Sequence, residues 1–336
     1  MKIRPKIKLF GYSTLIYGMA NLLTKLAVIT LVPLYTTYLS VHEVGLIVFL
    51  EMVELFVVTI IPIGCINAMW RFLPEEKGHN KNKIIISAFT VIMVSGLVIT
   101  FLLLFFQNNI SLFFGIPNDN NLLVFVFVSC FLQSISHFIY SLMQYKNQSV
   151  FYLILSLAQF LSLVGLTIYL IVYSGTGIIG IYYAKVAVFL TSSICIFFIL
   201  IKNAPVLPSF KFIKKILIFG VPMIPMILLM PVLNVSDRYF LKLFTSIEEI
   251  GRYGIAYKFG MLINMFLVIP ISRSWGPQMF QVGKSEEENK KIHQDLTFYY
   301  SYVGWFIIVG LSFFSDTIIS IVANKEYLAA AWLLPW

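Results

Sequence analysis

Charge is what this sequence has least of. Of its 336 residues only 12% are Asp, Glu, Lys or Arg, while 59% are hydrophobic and the mean hydropathy is +0.89. A soluble globular chain carries about 25% charged and 45–50% apolar residues, and one soluble core stops growing near about 250–300 residues. This apolar excess excludes a soluble fold and leaves lipid as the solvent. Cysteine is scarce too. The three, Cys65, Cys130 and Cys195, all lie in apolar runs, at spacings that exclude a metal site or a disulfide framework, and are expected as small buried residues. No Walker motif, metal-ligand cluster or nucleophile triad is present, so the sequence offers no enzyme's chemistry. The net charge of +9 would suit nucleic acid, but the basic residues are scattered between apolar runs rather than gathered in a patch. That excludes a nucleic-acid partner and points to membrane topology.

What is there is a succession of long apolar runs. A spanning helix needs about 20 mostly apolar residues, and nine segments meet that rule: 11–39, 45–70, 84–106, 121–144, 150–173, 178–201, 214–244, 251–280 and 294–314. A β-barrel would read as short alternating segments instead. The basic tail Met1–Lys8 resembles the start of a signal peptide, but the run behind it holds Asn21 and Lys25 and lacks a small-x-small cleavage site, so it is expected to remain as a first span. Lys and Arg collect in alternate loops: the N-terminal tail, 71–83, Lys146, 202–215 and 284–291. The loops near 40–44, 107–120 and 174–177 have none. By the positive-inside rule the N-terminus of this multi-pass protein is cytoplasmic. Every loop is too short to fold as an extramembrane domain.

The segment Ser40-Val41-His42-Glu43-Val44-Gly45 recurs as Ser246-Ile247-Glu248-Glu249-Ile250-Gly251, an offset of 206 (246 − 40). Each copy reads as a capping box, Ser capping the next helix and Glu three residues on bonding back. Six spans separate the copies, so the halves share one orientation, a parallel repeat with a substrate path between them. The expected fold is all-α: a polytopic transmembrane bundle of two six-helix lobes, the first over 1–202 and the second over 203–336. Pro205 and Pro208 mark the linker, and Lys211, Lys214 and Lys215 follow at helical spacing. The offset places the start of a tenth span near Leu328. The chain ends at Trp336 within that run, so the second lobe is expected to be truncated.

A charge at the bilayer centre costs at least about 2.5–3.5 kcal/mol and is a functional hypothesis by default. Lys25, Lys185, Arg238, Lys258 and Arg273 outnumber Glu51, Glu54 and Asp237 within the spans. Facing a common cleft, the cations would select an anionic solute, and Arg suits phosphate. Arg273 also reads as a topology residue near a cytoplasmic end. Glu51 and Glu54, three apart, share a helix face. They either neutralise a lysine on a neighbouring helix, such as Lys25, or form a proton or sodium site; Asp237 is a further coupling candidate. No cofactor is expected beyond H+ or Na+ coupling. Lys242 and Arg252 read as snorkelling helix-end residues.

Several motifs carry a resemblance: Pro33-Leu34-Tyr35-Thr36-Thr37-Tyr38-Leu39-Ser40 before Glu43-Val44-Gly45, then Gly220-Val221-Pro222-Met223-Ile224-Pro225, Ser236-Asp237-Arg238-Tyr239, Gly251-Arg252-Tyr253, Ala256-Tyr257-Lys258 and Trp275-Gly276-Pro277. The chain resembles the Wzx-type oligosaccharide flippases, which serve O-antigen, capsule and exopolysaccharide assembly. These form the polysaccharide-transport family of the multidrug/oligosaccharidyl-lipid/polysaccharide exporter superfamily. The resemblance implies two six-helix lobes around a central cavity. It also implies flipping of a polyprenyl-pyrophosphate-linked oligosaccharide across the bacterial cytoplasmic membrane, among membrane lipids, a polysaccharide polymerase and glycosyltransferases. Two other functions remain open: a cation-coupled multidrug exporter of the same superfamily, and a membrane glycosyltransferase or polymerase. The first expects a carboxylate-rich cavity, and the second expects catalytic residues on long surface loops.

Overall fold

In a computed structural model, residues 30–116, 121–203, 206–264 and 286–333 are described; all regular structure among them is helical. After α1 (30–38) come α2 (Val41–Ile60), α3 (Cys65–Phe72), α4 (His79–Phe105), α5 (Gln107–Phe114) and α6 (Leu122–Tyr145). Next are α7 (Ser149–Ile168, prolonged by a π-turn to Tyr173), α8 (Ile178–Asn203), α9 (Phe210–Gly220) and α10 (Ile224–Phe244). The remainder is α11 (Ile247–Ile263), α12 (Glu286–Phe313), α13 (Ser315–Val322) and a 3₁₀ segment, Lys325–Leu333. The last is where the 206-residue offset puts the start of a tenth span.

Six stretches are long and apolar enough to cross a membrane: Val41–Phe72, His79–Phe105, Leu122–Tyr145, Ser149–Tyr173, Ile178–Cys195 and Phe210–Phe244. A seventh is formed if Ser301–Phe313 and Ser315–Val322, bent by 64°, act as one span. These match the second to seventh and the ninth spans expected from the sequence. The first (11–39) and eighth (251–280) fall largely outside the described residues. The chain is a multi-pass helical membrane protein.

Two compact units form, one containing 46–244 and the other containing 28–45 with 245–336. In the first unit α6 is the central helix. Ser129, Ser134, Ser136 and Ser141 are buried on it, and Ser129 and Ser134 turn their hydroxyls back to Val126 O and Cys130 O, each at 2.8 Å. Lipid tails remove the hydrophobic drive between helices, so small residues that admit close packing take over. The opposite arrangement occurs on α4. Val94, Val98, Phe101 and Phe105 are more than half exposed along one face, as a lipid-contacting stripe requires. Cys195 is exposed on α8 beside the exposed Ile194, not buried as the sequence suggested. In lipid the exterior of a helix is as apolar as a core, so hydrophobicity does not tell the two apart.

The long stretches 41–72 and 210–244 are each interrupted, and the breaks pack on one another. Gly64 is left-handed (φ 68°), and a Cβ on it would lie 2.4 Å from the Gly220 carbonyl oxygen; one on Gly220 would lie 2.4 Å from Ile63 O. Backbone meets backbone here, and only glycine fits. Beyond the breaks, Lys215 Nζ reaches Glu75 at 3.1 Å and lies 4.1 Å over the Phe72 ring, so the basic loops 71–83 and 202–215 meet at one end of the unit.

The repeat is visible in element lengths. An offset of 206 carries the α2 start, Val41, onto the α11 start, Ile247. Later, α4 (27 residues) and α5 (8) recur as α12 (28) and α13 (8). Both junctions are a Phe-Phe pair. Phe106 has φ −94° and ψ 12°, Phe314 φ −97° and ψ 10°. Ring centroids of Phe105–Phe106 and Phe313–Phe314 are 5.0 and 5.1 Å apart, both edge-on.

Candidate functional site: buried ion pairs

The charged residues buried among the described ones are Glu54, Arg238 and Lys258. In the first unit, one turn of α2 carries Glu51 and Glu54, facing α10 and α8. Lys185 Nζ on α8 donates to both Glu54 oxygens, at 2.7 and 2.8 Å. The pair is flanked by Cys130 of α6 and by Tyr182, whose fully buried ring centroid lies 4.7 Å from Lys185 Nζ. One face of α8 thus brings an ammonium and an aromatic ring to the same carboxylate, through the i, i+3 spacing of 182 and 185.

Arg238 on α10 is 5% exposed. Its Nη1 donates to the Val48 carbonyl at 2.9 Å and lies 3.5 Å from Glu51 Oε2. The neighbouring Asp237 turns its Oδ1 to the Arg238 backbone N–H at 2.9 Å, so the adjacent acid and base do different things. Glu51, Glu54, Lys185 and Arg238 together carry two charges of each sign, and this cluster is charge-balanced rather than cationic. An incoming anion has to compete with the carboxylates for the cations, or find the carboxylates protonated.

In the second unit Lys258 of α11 is buried, 5.9 Å from the Tyr35 ring centroid, at the outer limit of a cation–π contact (about 6 Å). Lys25 and Arg273 lie outside the described residues. Lys242, expected to snorkel, sits with Nζ 4.8 Å from the Phe49 ring centroid.

The two repeated hexapeptides meet each other within this second unit. His42 Nδ1 and Glu248 Oε1, equivalent positions 206 apart, are 2.9 Å apart. The first copy is a full capping box: Ser40 N–H donates to Glu43 Oε2 (2.9 Å), and Glu43 N–H to Ser40 Oγ (3.2 Å). The second keeps only the Ser246 half, at 3.4 Å from Glu249 N. The Glu249 carboxylate is taken by Arg252, one turn on, whose Nε also donates to Glu326 O at 3.2 Å. A guanidinium is a stronger partner than a backbone amide, so the expected return bond is displaced.

Glu248 has its carboxyl pulled from 4.5 down to about 2. The largest cause is its own backbone N–H in the first turn of α11, followed by the His42 ring and Ser246. A depressed carboxylate adds stability that is complete above its unfolded value and fades as pH falls through its folded one. The melting-temperature gap between wild type and Glu248→Gln is therefore expected to hold above pH 4.5 and to close on acidification towards about 2. A gap that widened across that interval would contradict the assignment.

Interrupted apolar stretches, a repeated helical pattern and charges buried between helices make up a multi-pass helical fold that multidrug exporters share. An inward-facing multidrug resistance MATE family transporter of the MOP superfamily superposes with a TM-score of 0.66 at 13% identity, over 93% of this chain and 75% of its own. The Vibrio cholerae MATE transporter VcmN in the bent form gives 0.64 at 13%, over 98% and 78%. No individually curated protein matches in sequence. The family is nonetheless defined: the profile described as polysaccharide biosynthesis protein matches residues 10–282, and the chain belongs to that family, a flippase family.

Proposed function

We propose that this chain flips a polyprenyl-pyrophosphate-linked oligosaccharide across the bacterial cytoplasmic membrane, with its N-terminus in the cytoplasm, for surface polysaccharide assembly. The observation that carries the proposal is the pair of carboxylate-countered cations, Lys185–Glu54 and Arg238–Glu51, inside a membrane unit of a polysaccharide biosynthesis family. A diphosphate offers oxygens that suit a guanidinium and an ammonium better than any neutral solute does. Protonating Glu54 and Glu51 releases both cations to the diphosphate, and deprotonating them expels it. H+ is the simplest coupling ion for such an exchange. Asp237, beside Arg238, is a further coupling candidate, and Na+ is the alternative ion. Lys25, Lys258 and Arg273 complete the proposed anion-binding set. The mechanism is alternating access by lobes divided at 202/203. A polymerase and glycosyltransferases acting on the same lipid are the proposed partners.

Alanine at Arg238 is expected to cut polymer export at least about tenfold, since truncating one member of a desolvated charge pair costs about 2–5 kcal/mol or more. Lysine there should restore part of it. Full export by alanine variants of Lys25, Lys185, Arg238 and Lys258 alike would reject the proposal. The second reading, drug export, is favoured by the multidrug resistance transporters that share the fold. It predicts drug hypersensitivity with intact surface polysaccharide in a deletion strain.

A further inference from the structure

The central helix of the first unit has an inverted pattern in its second half. From Leu132 to Gln144, His137 is exposed and Gln133, Tyr140 and Gln144 are half-buried, while Leu132, Ile135, Phe138, Ile139, Leu142 and Met143 are buried. At 3.6 residues per turn the four polar positions fall within about 60° of arc. They continue the face that, one turn earlier, carries Cys130, which lies within reach of the Glu54 and Lys185 charges. Were this face turned to lipid, it would expose its polar groups to hydrocarbon, where nothing satisfies them. The lipid stripes of this unit look different: Ile154 and Leu161 on α7 are apolar and more than half exposed. A water-filled lumen is the environment that the α6 stripe fits.

We propose that Gln133, His137, Tyr140 and Gln144 line this lumen as an uncharged binding face for the sugar hydroxyls of the cargo, distinct from the cations that take its diphosphate. The proposal rests on the flippase reading. Each glutamine amide offers both donors and an acceptor, and a neutral imidazole offers one of each, which matches hydroxyl groups that donate and accept. Tyr140 is held for the task. Its hydroxyl donates to Gln159 Oε1 on α7, and its ring packs edge-on against Tyr152, centroids 5.0 Å apart. Gln159 is in turn anchored by its Nε2, 3.5 Å from Ser136 Oγ. With its proton committed, the Tyr140 oxygen presents lone pairs that can accept from a sugar hydroxyl. Neutral side chains let a glycan slide past; a charged lining would hold it.

The test is cysteine labelling of the full chain in membrane vesicles, with Cys195→Ala as background and single Gln133→Cys, His137→Cys, Tyr140→Cys and Gln144→Cys variants. Ile154→Cys and Leu161→Cys serve as lipid-facing controls. A charged, membrane-impermeant maleimide reacts with thiolate, and each unit of thiol pKa added by apolar surroundings removes about tenfold of it. The four stripe positions should label at least about tenfold faster than the controls. Polyprenyl-pyrophosphate-linked oligosaccharide purified from the host should slow labelling at 133 and 144 several-fold, and sugar-free polyprenyl pyrophosphate should not. Labelling as slow as the controls overturns the lumen, and equal slowing by both lipids, or by neither, overturns the glycan assignment. Failure of the flippase reading would show separately, as polymer export that survives deletion of the gene.

Discussion

Replacing Lys185 with alanine while Glu54 remains is expected to destabilise the protein by about 3–5 kcal/mol, the cost of stranding one member of a buried ion pair. The side chains of Lys185 and Glu54 are 17% and 10% exposed, and the ammonium bonds both carboxylate oxygens. Little water is available to take over when one partner leaves. The adjoining Tyr182 and Cys130 are fully buried and bring no compensating charge. The double replacement Lys185→Met with Glu54→Gln should recover most of the loss, because well-packed neutral groups of similar volume can match a buried pair. Thermal unfolding in detergent would measure all three variants. A Lys185→Ala protein as stable as the double variant would show that the pair is solvated. Export should separate the roles further: the double variant folds but lacks both the cation and the exchangeable proton, so it should remain transport-defective.

That pair also marks how far the sequence could be followed. Glu54, Arg238 and Lys258 stand out in a linear reading because each interrupts an apolar run where charge is expensive, and burial is where the structure puts them. Lys185 and Glu51 stand out in the same way, but which charge pairs with which does not. Glu54 meets a lysine 131 residues away, and nothing local distinguishes Lys185 from Lys25. The starts of α2 and α11 were legible from Ser-x-x-Glu, whereas the loss of the second return bond depends on Arg252 being one turn along. The kinks at Phe106 and Phe314 carry no glycine or proline signal. Gln133, His137 and Gln144 escape a search for formal charge, since a lone neutral polar residue in an apolar run is cheap. Only their common accessibility, which requires the packed helices, turns them into a stripe.

Gly45→Ala is expected to be among the most damaging single substitutions in the second unit. A Cβ there would lie 2.0 Å from the carbonyl oxygen of Ile247 and 2.7 Å from its carbon. These are backbone atoms in the first turn of α11 and cannot rotate aside. Overpacking usually costs about 1–3 kcal/mol, and a clash with immovable backbone belongs at or above the upper end. Gly251→Ala should cost less, because its nearest obstacles are Gly45 N at 2.9 Å and Val41 O at 3.1 Å. Gly165 on α7 has nothing within 4 Å, so Gly165→Ala should be neutral or stabilising by up to about 1 kcal/mol, alanine being the better helix former. The ranking follows from the repeat. Equivalent residues face each other, His42 to Glu248 and Gly45 to Gly251, as around a local two-fold axis where one surface meets its own copy. Glycine is needed in both copies because each helix start is the other's packing surface. Melting temperatures in detergent falling in the order Gly165→Ala, Gly251→Ala, Gly45→Ala would support this, and an unchanged value for Gly45→Ala would sink it.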